Sequence, residues 1–430
     1  MTVQATLAIV VFAGAYVLIA TEWVHRVAAA VGGAALMVLI GATGSHVAFF
    51  SEETGVDWNV IFLLLGMMII VGVLRQTGLF EYLAIWAAKR ARAKPFRVMA
   101  LLVVITAVAS ALLDNVTTVL LVAPVTLLVC ERLGVQPVPY LIAEAMASNI
   151  GGTATLIGDP PNIIIASRGG LSFNEMAANL APIIVVLLVV FVGLCRWLFR
   201  HAFVADPERA AKVMALEERE VIQDAKLMRR GLFVLAVVIS AFALHSVVHL
   251  EPAIVALLGA GAMVLVSGQS SQTYLADVEW ETLVFFMGLF VMVGSLVNLG
   301  VIEQLGQAAT SAVGDHYLAA GVGLLFGSAA LSGIVDNIPY VATMAPLVKG
   351  LVDASGGAPG AHALWWALAL GADLGGNATA VGASANVVVL GIAGRNGHPI
   401  SFWEFTKYGL VVAAVTVTLC LPYLWLRYYL

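Results

Sequence analysis

The chain has 430 residues, 61% of them hydrophobic and only 11% charged, with a mean hydropathy of +0.99 and a formal net charge of −5. Soluble domains carry about a quarter charged residues, so this chain lacks the polar surface to coat a water-facing globule. A disordered chain, a disulfide scaffold and a nucleic-acid binder are excluded by the same figures, and a polytopic helical membrane protein remains.

In chain order, the first half reads as apolar spans near 5–21, 27–43 and 58–76. A long stretch at 98–131 follows, interrupted by Asp114-Asn115. The next, at 138–168, is interrupted by Gly151-Gly152-Thr153-Ala154-Thr155 and by Asp159-Pro160-Pro161, and a last span lies near 180–200. The first span has no basic leader and no convincing cleavage site, so it reads as a membrane helix rather than a signal peptide. Residues 201–230 are the one polar block and read as a cytoplasmic linker. The second half repeats the series at 231–248, 252–267, 280–298, 319–350, 362–394 and 406–426.

The halves also match residue by residue. Val56–Ala84 and Val278–Gly306 are identical at 9 of 29 positions without a gap, at an offset of 222. The same offset carries Asp114-Asn115 onto Asp336-Asn337 and Ala123-Pro124 onto Ala345-Pro346. At an offset of 224, Gly151-Gly152-Thr153-Ala154-Thr155 falls on Gly375-Gly376-Asn377-Ala378-Thr379, and Asn162 falls on Asn386. An ordered series of Gly, Asp, Asn and Pro marks an internal duplication, which divides the chain into a first repeat (1–200), a linker (201–230) and a second repeat (231–430).

A buried Asp-Asn in the middle of a continuous span would strand charge in hydrocarbon, whereas a re-entrant hairpin places the pair at its tip. Each repeat is then five transmembrane helices, one of them broken, plus a re-entrant hairpin: an all-α fold of about 10 spans. Five is odd, so the two repeats are inverted. This topology places 18 Lys and Arg residues on one side and only Arg168, Lys349 and Arg427 on the other. The positive-inside rule then puts the protein in a cell membrane, the inner one where there are two, with both termini on the extracytoplasmic side.

Backbone leaves the helical ladder at membrane depth only where protein or a water-filled cavity satisfies it, so two broken repeats point to a central polar site of the secondary-transporter kind. The candidate proton-coupling carboxyls are Asp114, Asp159, Asp336, Asp373 and Glu144. Asp373 aligns with Asn149, and Glu144 has no acidic counterpart, so the halves are not chemically equal. The candidate substrate-binding groups are Asn115, Thr117, Thr118, Gly151, Gly152, Thr153, Thr155 and Asn162 in the first repeat. In the second they are Asn337, Gly375, Gly376, Asn377, Thr379 and Asn386. The aspartates also suit helix capping and the threonines suit satisfaction of backbone carbonyls. Cys130, Cys195 and Cys420 are far apart with no CxxC pair and read as packed free thiols. No residue is assigned to a metal, no cofactor is expected, and no Walker A motif appears.

The strings LLDNVTTVLLVAPVT, SNIGGTATLIGDPPNIII, IVDNIPYVATMAPLV and DLGGNATAVGASANVVV resemble the ion-transporter superfamily. Within it they are most similar to the branch holding the ArsB arsenite permeases and the melanosomal P protein, over nearly the whole chain. The resemblance implies the inverted-repeat fold, an elevator-like movement of the hairpin and broken-helix domain, and a site where the tips at Asn115 and Asn337 meet the breaks at Gly151 and Gly375. It also implies a transporter rather than an enzyme: proton-coupled efflux of arsenite and antimonite by alternating access, with a sodium/proton antiporter of the same fold as the alternative. Dicarboxylates and tricarboxylates fit less well, because no Arg or Lys lies in either interruption. An intramembrane aspartyl protease leaves the duplication unexplained, and a passive channel leaves the two-sided seal unexplained. Protons, the small inorganic solute and the lipid bilayer are the expected partners. A homodimer is suggested by the superfamily, and an accessory ATPase on the linker is left open.

Overall fold

The computed structural model describes residues 2–21, 23–204, 207–215, 217–244, 250–268, 270–314, 316–358 and 360–430. Among them are 21 α-helices and no strand. The first repeat runs α1 (Val3–Thr21), α2 (Arg26–Leu39), α3 (Ser45–Phe50), α4 (Trp58–Arg75), α5 (Leu79–Arg90), α6 (Pro95–Leu112), α7 (Asn115–Leu133), α8 (Val138–Gly152), α9 (Pro160–Gly169) and α10 (Phe173–Leu198). After α11 (Pro207–Met214), the second repeat gives the same series. It runs α12 (Ala225–Ala243), α13 (Pro252–Ser267), α14 (Ser271–Ala276), α15 (Trp280–Asn298), α16 (Val301–Val313), α17 (Tyr317–Ser332), α18 (Asn337–Ala354), α19 (Ala363–Gly375), α20 (Ser384–Arg395) and α21 (Phe402–Tyr428).

Seven helices (α1, α4, α6, α7, α10, α15 and α21) are long and apolar enough to cross a membrane. The outward faces are apolar too: Val3, Val10 and Val17 on α1 and Leu258 and Leu265 on α13 are exposed, as a lipid-facing surface requires. The expected span at 231–248 begins earlier, at Ala225, and residues 245–249 of it lie outside the described residues. Four short helices of the repeats had no counterpart in the sequence reading: α3 and α14, which lie between the second and third spans of each repeat, and α5 and α16. The helices α5 and α16 fill the gaps at 77–97 and 299–318, each entered through a left-handed glycine, Gly78 (φ 79°) and Gly300 (φ 70°). They are short and amphipathic, so a search for long apolar runs passes over them.

Packing pairs off across the repeats. Helix α4 lies on α13, and α15 lies on α2, so each repeat contributes one helix to each crossing. Gly66 allows the first: an added Cβ there would stand 2.7 Å from the Ala256 backbone. Its repeat mate Gly288 allows the second, where a Cβ would stand 2.8 Å from the backbone of Ala30. Within each repeat α6 packs on α8 and α17 on α19, and between repeats α9 packs on α18 and α7 on α20. The linker is tied down as well. Lys89 on α5 pairs with Glu218 at 2.5 Å, a hydrogen bond that holds the Glu218 carboxyl below its usual range, and Val213 on α11 is buried.

The α8 and α9 segments are 15 and 10 residues long, about 22 and 15 Å at 1.5 Å per residue, so their junction lies at mid-span. A hairpin tip bonded to that junction is therefore re-entrant. Overpacking a close crossing costs about 1–3 kcal/mol. Gly66→Val and Gly288→Val should each lower thermal stability in detergent accordingly, while Gly323→Val, where nothing stands within 4 Å, leaves it unchanged. Equal melting of all three variants would contradict the crossings described.

Candidate functional site

Four chain interruptions meet in the interior, and each is made by local chemistry. The α6–α7 turn ends when Asp114, in extended conformation, caps α7 by accepting from Thr117 N–H at 2.8 Å. Asp336 caps α18 in the same way, accepting from Ile338 N–H at 3.0 Å. The α8–α9 break ends at Pro160-Pro161, which fix φ and need no N–H partners at the start of α9. The glycine pairs serve close approach. A Cβ on Gly151 would stand 2.4 Å from Ala107 Cα, and one on Gly375 equally close to Ala329 Cα. Gly152 and Gly376 face the carbonyls of Gly158 and Gly382, so each loop closes on itself.

Asn149 is the hub. Its Oδ1 accepts from Asn115 Nδ2 at 3.1 Å, and its Nδ2 donates to Asn377 Oδ1 and Asn386 Oδ1, both at 3.0 Å. One side chain thus joins the first hairpin tip, the first broken helix and the second. Asn337 Nδ2 at the other tip donates to Asp159 Oδ2 at 3.4 Å, and its N–H to Gly382 O at 3.2 Å. Asn162 and Asn386 share a role: each donates to carbonyls of its own loop, Asn162 to Thr155 O at 3.0 Å and Asn386 to Gly376 O at 2.8 Å. Thr153, Thr155 and Thr379 hydroxyls donate to the Asn149, Ala111 and Gly333 carbonyls, so backbone satisfaction accounts for them.

The remaining buried polar atoms have no hydrogen-bond partner of good geometry among the described residues. They are Asn115 Oδ1, Thr117 Oγ1, Thr118 Oγ1, Asn162 Oδ1, Asp159 Oδ1, both oxygens of Asp373, and Asn377 Nδ2. All but the last are oxygens. The N-termini of α7, α9, α18 and α20 point positive dipole ends inward, and Asp114, Asp159 and Asp336 sit on three of them. Asp373 does not. It lies in the last turn of α19, at the negative end, fully buried and faced by Thr153 and Asn162. A bare carboxylate there is uncompensated, and a proton or a cation would compensate it.

Arg26 reaches the site from α2, outside both interruptions. Its guanidinium donates to Ser384 Oγ at 2.8 Å and stands 3.9 Å from Asp336, while Ser384 Oγ donates to Asp336 at 2.6 Å. A cavity of about 380 Å³ runs from His25, Arg26 and Glu281 to Asp336 and Ser384. Its repeat-related counterpart, about 300 Å³ beside Asn59 and Glu251, stops at Leu156 and Ile163. Accordingly the Asp336 side chain is 18% exposed while its repeat mate Asp114 is buried.

The structure thus gathers the predicted Asn, Asp and Gly positions at one centre, and it leaves Glu144 apart on α8, bonded to Thr126. Asn149, Ser384 and Arg26 were missed as site residues. Alignment of Asn149 with Asp373 was the available signal for the first; Arg26 is brought in by packing alone. The three cysteines lie on α7, α10 and α21, all buried, and none is at a tip or a break.

Comparison with known proteins agrees with this fold. The sequence model of the family described as "Citrate transporter" matches residues 16–371. An uncharacterized transporter of Mycobacterium tuberculosis is 56% identical over 426 residues, covering 99% of each chain. The human P protein is 35% identical over 98% of this chain and 60% of its own length. Among solved structures, the Alcanivorax borkumensis YdaH transporter superposes with a TM-score of 0.59 at 17% identity, over 91% of this chain and 88% of that one.

Removing the hub should be felt directly. Asn149→Ala leaves Asn377 Oδ1 and Asn386 Oδ1 buried without donors, at about 1–3 kcal/mol each. Thermal unfolding of the purified variant is expected well below wild type, and an unchanged melting curve would show that Asn149 does not hold the repeats together.

Proposed function

The chain belongs to the Citrate transporter family of the ion-transporter superfamily and is a multi-pass membrane transporter, and on that premise we propose that it is a secondary active, proton-coupled efflux protein for arsenite and antimonite. The observation that carries this reading is the acceptor-rich centre: buried carboxylate, amide and hydroxyl oxygens without partners, and no Lys or Arg among them. Such a site asks its ligand for hydrogen-bond donors or positive charge. Arsenite at neutral pH is mostly the uncharged trihydroxide, which brings three O–H donors. A citrate-like polyanion brings one hydroxyl donor against three carboxylates, and it would meet four aspartates and a single guanidinium already engaged with Ser384 and Asp336.

In this mechanism proton and solute compete. Asp373, lacking a helix dipole or a cation to support its charge, holds a proton when the solute is absent. When the solute's hydroxyls bind the Asn and Asp oxygens, the proton leaves, and the loaded and protonated forms cross the membrane in opposite directions. The 18-to-3 asymmetry of basic residues supports placing the Arg26–Asp336 cavity on the cytoplasmic side, where an efflux substrate enters. The rival is sodium/proton exchange, because carboxylates with amide and hydroxyl oxygens also make a hard-cation site. A homodimer and docking of an accessory ATPase on the linker remain compatible with either reading.

Proteoliposomes with an imposed proton gradient separate the readings. Gradient-dependent arsenite movement insensitive to sodium is the expected result. Sodium-dependent proton movement without arsenite flux would reassign the protein to cation exchange. Asp373→Asn installs the residue of its repeat mate, and it should lower proton-driven flux by about a hundredfold while the protein still folds; wild-type coupling in this variant would remove Asp373 from the mechanism. A triple serine variant of Cys130, Cys195 and Cys420 should transport normally, and loss of arsenite flux there would point to thiolate recognition instead.

A further inference from the structure

Below its hairpin tip the first repeat buries a second set of polar groups that includes a carboxyl, and the second repeat has no carboxyl at the matching place. Glu144 on α8 is 1% exposed. Its Oε1 accepts from Thr126 Oγ1 on α7 at 2.5 Å, and its Oε2 has no partner among the described residues. On α6, Ser110 Oγ donates to Ser148 O at 2.6 Å, which sets the register of α6 against α8. The two helices start at the same face, so Thr106, one turn before Ser110, lies at the level of Glu144, one turn before Ser148. Thr106 Oγ1 is buried and unpartnered, and so is Thr118 Oγ1 near the tip on α7. Open hydrogen-bonding positions therefore run from Glu144 toward Asn115 and Asn149.

The duplication supplies an internal control. The mates of Thr126, Glu144 and Ser148 are Val348, Leu368 and Ala372. The mates of Thr106 and Thr118 are Ser328 and Tyr340, and these hydrogen-bond each other at 2.9 Å. The same helices pack this layer with aliphatic and satisfied groups, so the fold does not require a carboxyl there. Of the charged groups on helices packed against α8, Arg97, Glu131, Arg132, Glu175, Arg196 and Arg395 occupy end turns, and Asp373 belongs to the central cluster. None forms an ion pair with Glu144 among the described residues, and the titratable neighbour in electrostatic contact is the Cys130 thiol. A membrane-buried carboxyl without a counter-charge, at a position where the fold accepts leucine, marks function.

We propose that Glu144 is a proton-binding way station, and that Thr106, Thr118 and Thr126 line a short hydrated file carrying protons between the basic face and the first hairpin tip. The proposal rests on the proton-coupled reading above and deepens it. Protons use a dedicated path inside the first hairpin domain, while the solute uses the cavity at Arg26 and Asp336. Buried waters bridging such otherwise unsatisfied groups are a normal part of protein interiors.

Glu144→Gln and Glu144→Leu in the full-length protein test it, the second being the residue the other repeat already packs. Infrared difference spectra between acidic and neutral pH should show a carboxyl band in wild type that both variants lose. Proton-driven arsenite or sodium flux in proteoliposomes should fall about a hundredfold, with recovery in Glu144→Asp. Retention of the band, or of wild-type flux in variants that melt normally, overturns the proposal. If wild type itself shows no proton-driven flux, the functional reading fails instead, and the infrared comparison still decides whether Glu144 binds a proton.

Discussion

Backbone polar groups at membrane depth have no water to turn to, and the rest of the structure follows from how this chain meets that demand. Four chain breaks leave eight half-helix ends in the interior, each with orphan N–H or C=O groups. The protein gathers them at one place, where they satisfy one another through side chains. Asp114 and Asp336 cap the hairpin helices, Asn162 and Asn386 bond the carbonyls of their own loops, and Thr155 and Thr379 tie those loops to the preceding hairpin arms. A polar centre is thus a consequence of breaking the helices, and its leftover valences are the candidate binding groups.

Symmetry builds this centre and departures from it give it chemistry. Asn149 and Asp373 occupy the same place in the two repeats, yet one is a neutral hub with three amide partners and the other a carboxyl without good partners. Thr118 and Tyr340 likewise share a place, and only the tyrosine is satisfied. Two identical halves would give a site with equal affinity for proton and solute from either end. Replacing one amide by a carboxyl adds an ionisable group that the other repeat lacks, without disturbing the backbone scheme, because Asn and Asp differ little in shape.

Much of this was legible in the sequence, for a physical reason. Glycine, proline, aspartate and asparagine inside apolar runs are costly in a membrane, so their ordered recurrence at offsets of 222 and 224 exposed both the duplication and the breaks. What stayed hidden depends on tertiary packing or on weak patterns. The short helices α5 and α16 are amphipathic and lie between spans, where hydropathy is uninformative. Arg26 belongs by sequence to the start of a span, and only the α2–α15 crossing brings it to Ser384. Threonines could not be divided in advance into those that satisfy carbonyls, such as Thr153, and those left open, such as Thr118, because the difference lies in neighbours on other helices.

The two faces of the molecule show what the proposed alternating access has to change. Glycine crossings lock α4 on α13 and α2 on α15, and α4 also touches α15, so the four helices form one packed frame. The hairpins and broken helices touch that frame through polar links at opposite ends: Arg26 with Ser384 on one, Asp57 with Ser167 on the other. On the first side the cavity is lined by Asp336; on the second it is lined by the apolar Leu156 and Ile163, and no residue of the first hairpin tip lines it. Opening the second side requires those two apolar side chains to leave the frame, and exposing them costs about 1.5–3 kcal/mol each unless they meet another apolar surface. A sliding movement of the whole hairpin domain along the frame supplies such a surface, whereas a local gate swinging into water does not. The balance of apolar burial therefore favours translation of one body past another as the movement that carries the solute.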